Sequence, residues 1–195
     1  MSGHRTLLGA GVIAVAAALA WLLFVALPGR YGPTGKGVGS AAAAGAAPTA
    51  PAPAGRKIKA RLFYVAEDGM RLVSVERDVP FGEGTVQQAK EIVAAQLAPA
   101  PDPLLSAIPA GTALRALFVT ANGDAYVDLS RDVSAAHPGG SIEELLTVYT
   151  IVNAVTANLP AVSGVQLLVE GKEVETLAGH VDLRRPLAGN LSWVQ

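Results

Sequence analysis

Residues 140–187 read GSIEELLTVYTIVNAVTANLPAVSGVQLLVEGKEVETLAGHVDLRRPL, and the first part of this stretch predicts the main helix of the fold. Ser141 and Glu144 have the spacing of a capping box, in which each side chain bonds the backbone N–H at the other's position. Asn158 and Pro160 end the helix, because proline cannot continue the backbone hydrogen-bond ladder. In between, apolar residues recur with the period of a helix that buries one face, at Leu145, Val148, Tyr149, Val152, Val155 and Leu159.

The second part of the stretch predicts a β-hairpin. Apolar and polar residues alternate from Val165 to Glu170, which is the period of a strand with one buried face. Glu170-Gly171-Lys172 supplies a turn, and the return strand is expected over Glu173–Leu177. The helix Ser141–Leu159 is expected to be the main packing element of the domain.

The sequence upstream shows a related order of elements twice. LFYVAEDGMRLVSVERDV (62–79) and LFVTANGDAYVDLSRDV (117–133) share a Leu-Phe start, a glycine turn and an Arg-Asp-Val ending. Each alternates as two strands around its turn, and Thr85 with Gln88 forms a second capping box. Either a duplication of this segment or the independent use of similar turn residues explains the likeness between the two stretches. The predicted fold class is α+β, a ββα-ββα-ββ domain with two helices packed on a mainly antiparallel sheet.

Residues 1–6 form a short tail before an apolar run, Leu7–Leu27, that contains no charged residue. About twenty such residues cross the ~30 Å hydrocarbon core of a membrane as a helix. A cleaved signal peptide ending near Ala18-Leu19-Ala20 is the competing interpretation, but the apolar run continues well beyond that point. We therefore predict a retained, single-pass transmembrane signal-anchor in the cytoplasmic membrane, with the rest of the chain extracytoplasmic.

Residues 28–55 are rich in glycine, alanine and proline and show no apolar periodicity. Such a segment has too few large apolar residues to form a core, so we expect a disordered linker with a reach of roughly 30 Å. Its role is either that of a passive spacer or that of a proline-motif ligand. Residues 56–195 then remain as the single α+β domain.

Composition excludes several classes of function. The formal net charge is −1, whereas dedicated nucleic-acid-binding proteins usually carry a strongly basic face. The chain contains no cysteine, which excludes disulfides, thiolate metal sites, a catalytic cysteine and an acylated lipoprotein cysteine. No phosphate-binding loop or dinucleotide fingerprint follows a predicted strand, so no cofactor is expected.

Residues of catalytic type are present, but no catalytic motif joins them. His180 with Asp182, and His137 with nearby serines, contain the side chains of a Ser-His-Asp set. The serines are Ser130, Ser134 and Ser141. Gly139-Gly140-Ser141 is not a nucleophile elbow, and Ser141 serves better as a helix cap. We therefore expect no catalytic residue.

Asp124, Asp128 and Asp132 recur at every fourth position. A calcium loop focuses its carboxylates on one point, whereas a predicted strand over the first two aspartates spreads them apart. We therefore expect no metal site.

Cations alternate along the first predicted strand, where Lys57, Lys59 and Arg61 share one face. Exposed charges at a sheet edge discourage edge-to-edge pairing between molecules, which is one interpretation of this row. The other is contact with anionic lipid headgroups or wall polymers near the membrane. Arg184 and Arg185 either extend the same patch or are simply solvated.

Two aromatic residues, Phe63 and Tyr126, are expected on exposed strand faces. In each strand the alternation places the other apolar residues on the opposite face. Pairing with an aromatic side chain of the adjacent strand is the expected explanation.

Several short stretches together resemble the GerMN domain, the sporulation and spore-germination module. They are YVDLS at 126–130, GS at 140–141, ELLTVY at 144–149, IVN at 151–153, VQLLVEGK at 165–172, GHVDL at 179–183 and PL at 186–187. The resemblance extends over about Lys57–Leu187 and is densest in its second half. The chain differs from better-known members in having one GerMN unit and an anchor helix in place of a lipidated cysteine.

The resemblance implies a non-enzymatic, extracytoplasmic domain of cell-envelope proteins. Related modules occur in spore-envelope assemblies, in membrane lipoproteins and beside peptidoglycan amidase domains, and they look similar to ring-building modules of secretion complexes. The expected function is that of a binding or scaffold protein, attached to the membrane through Leu7–Leu27. Its expected partner is a protein or peptidoglycan component of the envelope, or a second copy of itself. The alternative is an accessory or activator of a peptidoglycan hydrolase, or an envelope hydrolase.

Overall fold

The described part of the chain alternates strands and helices in the predicted order. The computed structural model describes residues 55–195. Its elements are β1 (Lys57–Val65), β2 (Leu72–Pro80), α1 (Gly84–Leu97), β3 (Leu114–Val119), β4 (Asp124–Leu129), α2 (Asp132–Ala135), α3 (Ser141–Thr156), β5 (Gly164–Val169) and β6 (Lys172–Glu173). The α+β class and the ββα-ββα-ββ order are confirmed, with the short helix α2 added before α3.

The predicted membrane anchor, Leu7–Leu27, lies outside the described residues, as does the predicted linker up to residue 54. Within residues 55–195, no helix combines the length and the apolar character that crossing a membrane requires. The anchor and the linker therefore stay predictions from the sequence.

The strands form two sheets, which corrects the prediction of a single one. β1 and β2 pair antiparallel, and a second sheet has the strand order β3-β4-β5-β6. In the second sheet β4 and β5 run parallel, whereas the β3–β4 and β5–β6 pairs are antiparallel. The parallel pair follows from α3, because a helical crossover between neighbouring strands returns the chain to the same end of the sheet.

Helix α3 is buried on more than the one face that was predicted. Val148, Val152 and Val155 of the predicted stripe are fully buried, but Leu145 and Tyr149 are only partly buried. The helix contacts β1, α1 and β5. Elements on several sides therefore also bury residues outside the stripe, among them Leu146, Ile151 and Ala154.

Side-chain amides cover much of the outer edge of β1, the edge that does not pair with β2. The N–H of Arg61 donates to Asn158 Oδ1 at 2.8 Å, and Asn158 Nδ2 donates to the Arg61 carbonyl at 2.7 Å. Gln96 of α1 binds the backbone of Phe63 in the same way, at 2.8 and 2.7 Å. Both α1 and the end of α3 are thereby fixed to β1, and a second molecule cannot pair with this part of the edge.

Phe63 is fully buried, although the alternation along β1 predicts an exposed side chain. An alternating apolar and polar pattern predicts which side chains of a strand are buried only where one face of the strand is exposed to solvent. From Leu62 to Tyr64 every side chain of β1 is fully buried, so both faces of the strand are covered here. Tyr126 is partly exposed, and it lies opposite Phe118 in the β3–β4 register, which confirms the predicted aromatic pair.

The final hairpin is shorter than predicted. Glu170 and Gly171 have φ values of 54° and 75°, as in a two-residue type I′ turn. Asp128 supports this turn by accepting a hydrogen bond from the Gly171 N–H at 2.7 Å. The return strand β6 ends at Glu173 instead of Leu177, because the following residues form a loop that α3 binds.

We expect residues 56–195 to fold without the linker. The buried apolar residues of the described core lie between Ala60 and Leu183. The C-terminal residues are tied to β2 by a hydrogen bond from the Leu72 N–H to the Trp193 carbonyl at 2.8 Å. Chains that begin at Pro28 and at Arg56 should therefore melt at the same temperature. A difference of more than a few degrees, roughly 1 kcal/mol for a domain of this size, would contradict this.

Candidate functional site

The cations predicted on β1 lie on an exposed face of the two-stranded sheet. Lys57, Lys59 and Arg61 are all exposed. The register places Asp78 of β2 opposite Lys59 and Glu76 opposite Arg61, and Lys59 Nζ lies 2.7 Å from Asp78 Oδ1. The face therefore presents a row of cations beside a row of acids, and of the three predicted cations only Lys57 lies opposite an uncharged residue.

The second predicted pair of cations lies in the C-terminal loop. Arg184 binds Asp182 through two hydrogen bonds, from Nε at 2.9 Å and from Nη2 at 2.7 Å. These hydrogen bonds from Arg184 hold the pKa of Asp182 well below its usual range. Arg185 is exposed. One of the two positive charges here is therefore already paired within the chain.

No hydrogen bond or ion pair among residues 55–195 joins the two groups of cations. The row on β1 lies next to Asn158, just beyond the C-terminal end of α3, which binds the backbone of Arg61. The C-terminal loop is bound by Glu144 in the first turn of α3 and then returns toward the other end of the helix, where the Asn190 N–H donates to Asn153 Oδ1 at 2.8 Å. The extension of the patch by Arg184 and Arg185 therefore stays a prediction.

Glu144 is the residue whose role the sequence pattern misassigns. It is fully buried, and it accepts hydrogen bonds from the backbone N–H groups of Leu177 at 2.8 Å and His180 at 2.7 Å. The Nδ1 atom of His180 lies 3.2 Å from Glu144 Oε2. The N-cap of α3 is Gly140, and no side chain caps it. The predicted Ser141–Glu144 capping box is therefore wrong.

The second predicted capping box, Thr85 with Gln88, is also wrong. The N-cap of α1 is Glu83, and it makes no side-chain cap hydrogen bond. Gln88 binds the preceding chain instead, accepting from the Gly82 N–H at 3.0 Å and donating to the Pro80 carbonyl at 3.1 Å. In both helices a side chain near the N-terminal end binds a neighbouring segment, because buried backbone groups of that segment need a partner in place of water.

One feature of the sequence does indicate the role of Glu144, since this residue falls on the apolar stripe of α3. It precedes Val148 by four residues and Val152 by eight, and residues at that spacing share one face of a helix. An acidic residue on a buried face requires hydrogen-bond partners. These partners lie 33 and 36 residues away along the chain, and helical periodicity does not identify residues at such a distance.

The loop keeps Glu144 ionised despite its burial. Burial raises the pKa of this carboxyl, but hydrogen bonds from backbone N–H groups of the loop lower it, and the net pKa lies below the ordinary value. These donors belong to Leu177, Ala178, His180 and Val181. The ionised carboxylate and the loop backbone therefore stabilise each other.

Acid is expected to remove the stabilisation that Glu144 provides. A carboxyl with a depressed folded-state pKa stabilises the fold above its unfolded-state pKa of about 4.3, and this contribution is lost as the pH falls through the folded-state pKa. Urea titrations of the wild-type chain and of Glu144→Gln should therefore differ at neutral pH and approach each other in acid. A stability difference that stays constant down to about pH 3 would contradict this linkage.

The serines and histidines considered for catalysis bind separate partners. Ser134 Oγ donates to the Leu177 carbonyl at 2.5 Å, and Ser130 Oγ donates to a carboxylate two residues later at 2.9 Å. His137 Nε2 lies 3.0 Å from Thr147 Oγ1. Among residues 55–195, no hydrogen bond joins a serine hydroxyl to a histidine ring.

Two of the three aspartates at every fourth position bind separate partners as well. Asp128 pairs with Arg115 at 3.3 Å and accepts the Gly171 N–H, while Asp132 accepts a serine hydroxyl. In the described part of the chain, no group of three acidic or imidazole side chains is arranged to hold a metal ion. Asp128 instead fixes the turn of the final hairpin.

The fold is similar to solved structures of GerMN domains. The tandem GerMN domains of the sporulation protein GerM from Bacillus subtilis are 17% identical, with a TM-score of 0.51, and the match covers 70% of this chain and 46% of that one. The first GerMN domain of the same protein is 16% identical, with a TM-score of 0.46, and the match covers 68% and 96% of the two chains. At 17% identity, the match to the tandem domains establishes a shared fold and nothing further.

A crystal structure of a Clostridium perfringens protein assigned as a lipoprotein is 19% identical, with a TM-score of 0.48, and the match covers 72% of this chain and 92% of that one. No curated protein sequence matches the chain at a significant level. The sequence model of the family called Germane, described as sporulation and spore germination, matches residues 61–175. Because this match spans more than half of the sequence, the chain belongs to the Germane family.

Proposed function

We propose that this chain is a non-enzymatic, membrane-anchored protein of the cell envelope. Leu7–Leu27 holds it in the cytoplasmic membrane, and residues 56–195 act outside the cytoplasm as a binding or scaffold domain. Membership of the Germane family supports the envelope role. The uncharged apolar run supports the anchor, since about twenty such residues cross the hydrocarbon core. The partner is a protein or peptidoglycan component of the envelope.

The use of Glu144 is the observation that favours binding over catalysis. A carboxylate beside a histidine is the kind of pair that acid–base catalysis uses. In this domain Oε1 accepts the N–H of Leu177 and Oε2 accepts the N–H of His180. Both carboxylate oxygens therefore hold the loop in place, which is a structural task that a scaffold requires.

An envelope hydrolase, or the activator of one, is the second candidate, and the position of His180 favours it. The His180 side chain is 44% exposed next to the fully buried Glu144, so a substrate has access to the ring. Digestion of purified peptidoglycan by residues 56–195 should be compared with digestion by the His180→Ala variant. Under our proposal neither digests it, and crosslinking of the anchored chain recovers envelope partners. Digestion that depends on His180 would reverse the assignment.

Fusions to the C-terminus test the anchor and its orientation. A reporter enzyme that is active only outside the cytoplasm should be active when it is fused after Gln195. The membrane fraction should contain the chain with its N-terminus before Leu7. A mature N-terminus near Trp21 would replace the anchor with a cleaved signal peptide, and an inactive reporter would reverse the orientation.

A further inference from the structure

The point where the chain enters the domain combines cations with exposed apolar side chains. We propose that this surface docks on the anionic headgroups of the membrane in which the chain is anchored. We call it the entry patch; its centre is the pair Arg56 and Phe81, with Lys57 next to Arg56 in the chain and Val86 just beyond the β2–α1 connection. The inference rests on the proposed anchor but concerns a second, separate contact between the domain and the lipid.

Arg56 and Phe81 lie just beyond Lys57 and Pro80, the last pair of the two-stranded sheet. The Phe81 N–H donates to the Arg56 carbonyl at 2.7 Å, and Cζ of the guanidinium lies 3.3 Å from the centroid of the Phe81 ring. This cation–π contact covers one face of the ring, yet Phe81 remains 39% exposed. An aromatic ring and a cation are therefore held together at the surface.

Val86 continues the apolar part of the entry patch in the first turn of α1. Its side chain is 38% exposed. Gly82 determines how the β2–α1 connection approaches the helix, because a Cβ at this position would lie 2.6 Å from backbone atoms of Gln87 and Gln88. Only glycine permits so close a contact. Phe81 and Val86 therefore lie on either side of a tight connection between β2 and α1.

The charges of the entry patch suit a negative surface. Among the described residues, neither Arg56 nor Lys57 takes part in an ion pair, whereas Lys59 is bound by Asp78. Glu83 is exposed in the same connection and offsets one positive charge. Anionic headgroups attract basic residues next to a membrane, and aromatic side chains favour the headgroup level. A cationic and aromatic patch matches both properties of that surface.

The position of the entry patch in the chain supplies an independent reason. Arg56 directly follows the segment 28–55, which joins the domain to the predicted anchor Leu7–Leu27. The flexible linker that the composition of this segment predicts has a reach of roughly 30 Å, and in our proposal it keeps this end of the domain near the bilayer. Such a tether produces a roughly millimolar effective concentration. Even a weak contact is therefore sufficient for docking.

An environment-sensitive label at position 86 tests the docking in the full-length protein. The chain contains no cysteine, so Val86→Cys can carry a single fluorescent NBD group. The protein is reconstituted into phosphatidylcholine vesicles with or without phosphatidylglycerol. We expect the NBD emission to move to shorter wavelengths, and doxyl-labelled lipid to quench it, only in the anionic vesicles. Phe118→Cys, at a 60%-exposed position on the second sheet, is the control and should show neither change.

Charge reversals then identify the surface. The double variant Arg56→Glu, Lys57→Glu should abolish the shift at position 86. The double variant Arg184→Glu, Arg185→Glu makes the same change of charge elsewhere and should leave the shift unchanged. Circular dichroism checks that each variant is folded. High salt, which screens exposed charges, should reverse the shift in the otherwise unmodified chain.

The outcomes separate the docking from the anchor. Flotation with neutral vesicles reports the anchor, and the shift in anionic vesicles reports docking. Flotation without a shift at position 86, or an equal shift at position 118 or in neutral vesicles, overturns the docking and leaves the anchor. A shift in anionic vesicles without flotation in neutral ones overturns the anchor and supports the docking. Absence of both overturns both.

Discussion

Glu144→Gln is expected to lower the free energy of unfolding by roughly 2–4 kcal/mol, because buried donors are left without an acceptor. The carboxylate accepts the N–H groups of Leu177 and His180 at 2.8 and 2.7 Å. Glutamine has the same shape, but its NH2 group must face one of these donors, so that two donors meet. Urea titration at neutral pH measures the loss.

Glu143→Gln is the matched control for this substitution. Glu143 is the preceding residue of α3 and is exposed, so its replacement removes the same charge near the same helix end. We expect it to change stability by no more than about 0.5 kcal/mol. Amide exchange should also accelerate at Leu177 in Glu144→Gln alone. Equal stability of the two variants would mean that the carboxylate does not hold the loop.

Val152→Asp is expected to cost roughly 4 kcal/mol or more, or to unfold the domain. Val152 is fully buried about one turn before the C-terminal end of α3. Aspartate would place a carboxylate there without a hydrogen-bond partner, which is among the most expensive changes a core can undergo. A domain with a total stability of about 5–15 kcal/mol rarely tolerates such a loss. Far-UV circular dichroism and urea titration measure the result.

Glu143→Ala serves as the comparison for the core substitution. It lies on the exposed side of the same helix, and its expected effect is within about 0.5 kcal/mol. If the two variants unfolded at the same urea concentration, α3 would have to face the opposite way, and the packing of β1 and β5 on it would be wrong.

Local patterns predicted the turns correctly because turn geometry depends on adjacent residues. The predicted turn Asp68-Gly69 has φ of 72° at its glycine, and Asn122-Gly123 has φ of 86°. Both values lie in the left-handed region that glycine adopts without a steric cost. Strand alternation likewise predicted the exposed row Lys57, Lys59 and Arg61, since successive side chains of a strand point to opposite faces.

The candidate surfaces were only partly predictable, because each combines residues that are distant in the chain. The cations of β1 and of the C-terminal loop were identified as exposed, but their positions relative to each other depend on how distant segments pack. The entry patch joins Arg56 to Phe81 through the pairing of β1 with β2. A row of charges can be recognised within one strand, whereas an aromatic partner from another strand requires the register.

The sequence by itself determined the order of strands and helices, the turns and the family resemblance, because each of these depends on residues that are close together in the chain. Only the tertiary structure decided that the strands divide into two sheets, that β4 and β5 run parallel, and that Phe63 is buried. It also decided that Glu144 binds a loop in place of its own helix end. The pattern of residues records that a side chain needs burial or a partner, but packing between distant segments determines which segment provides it.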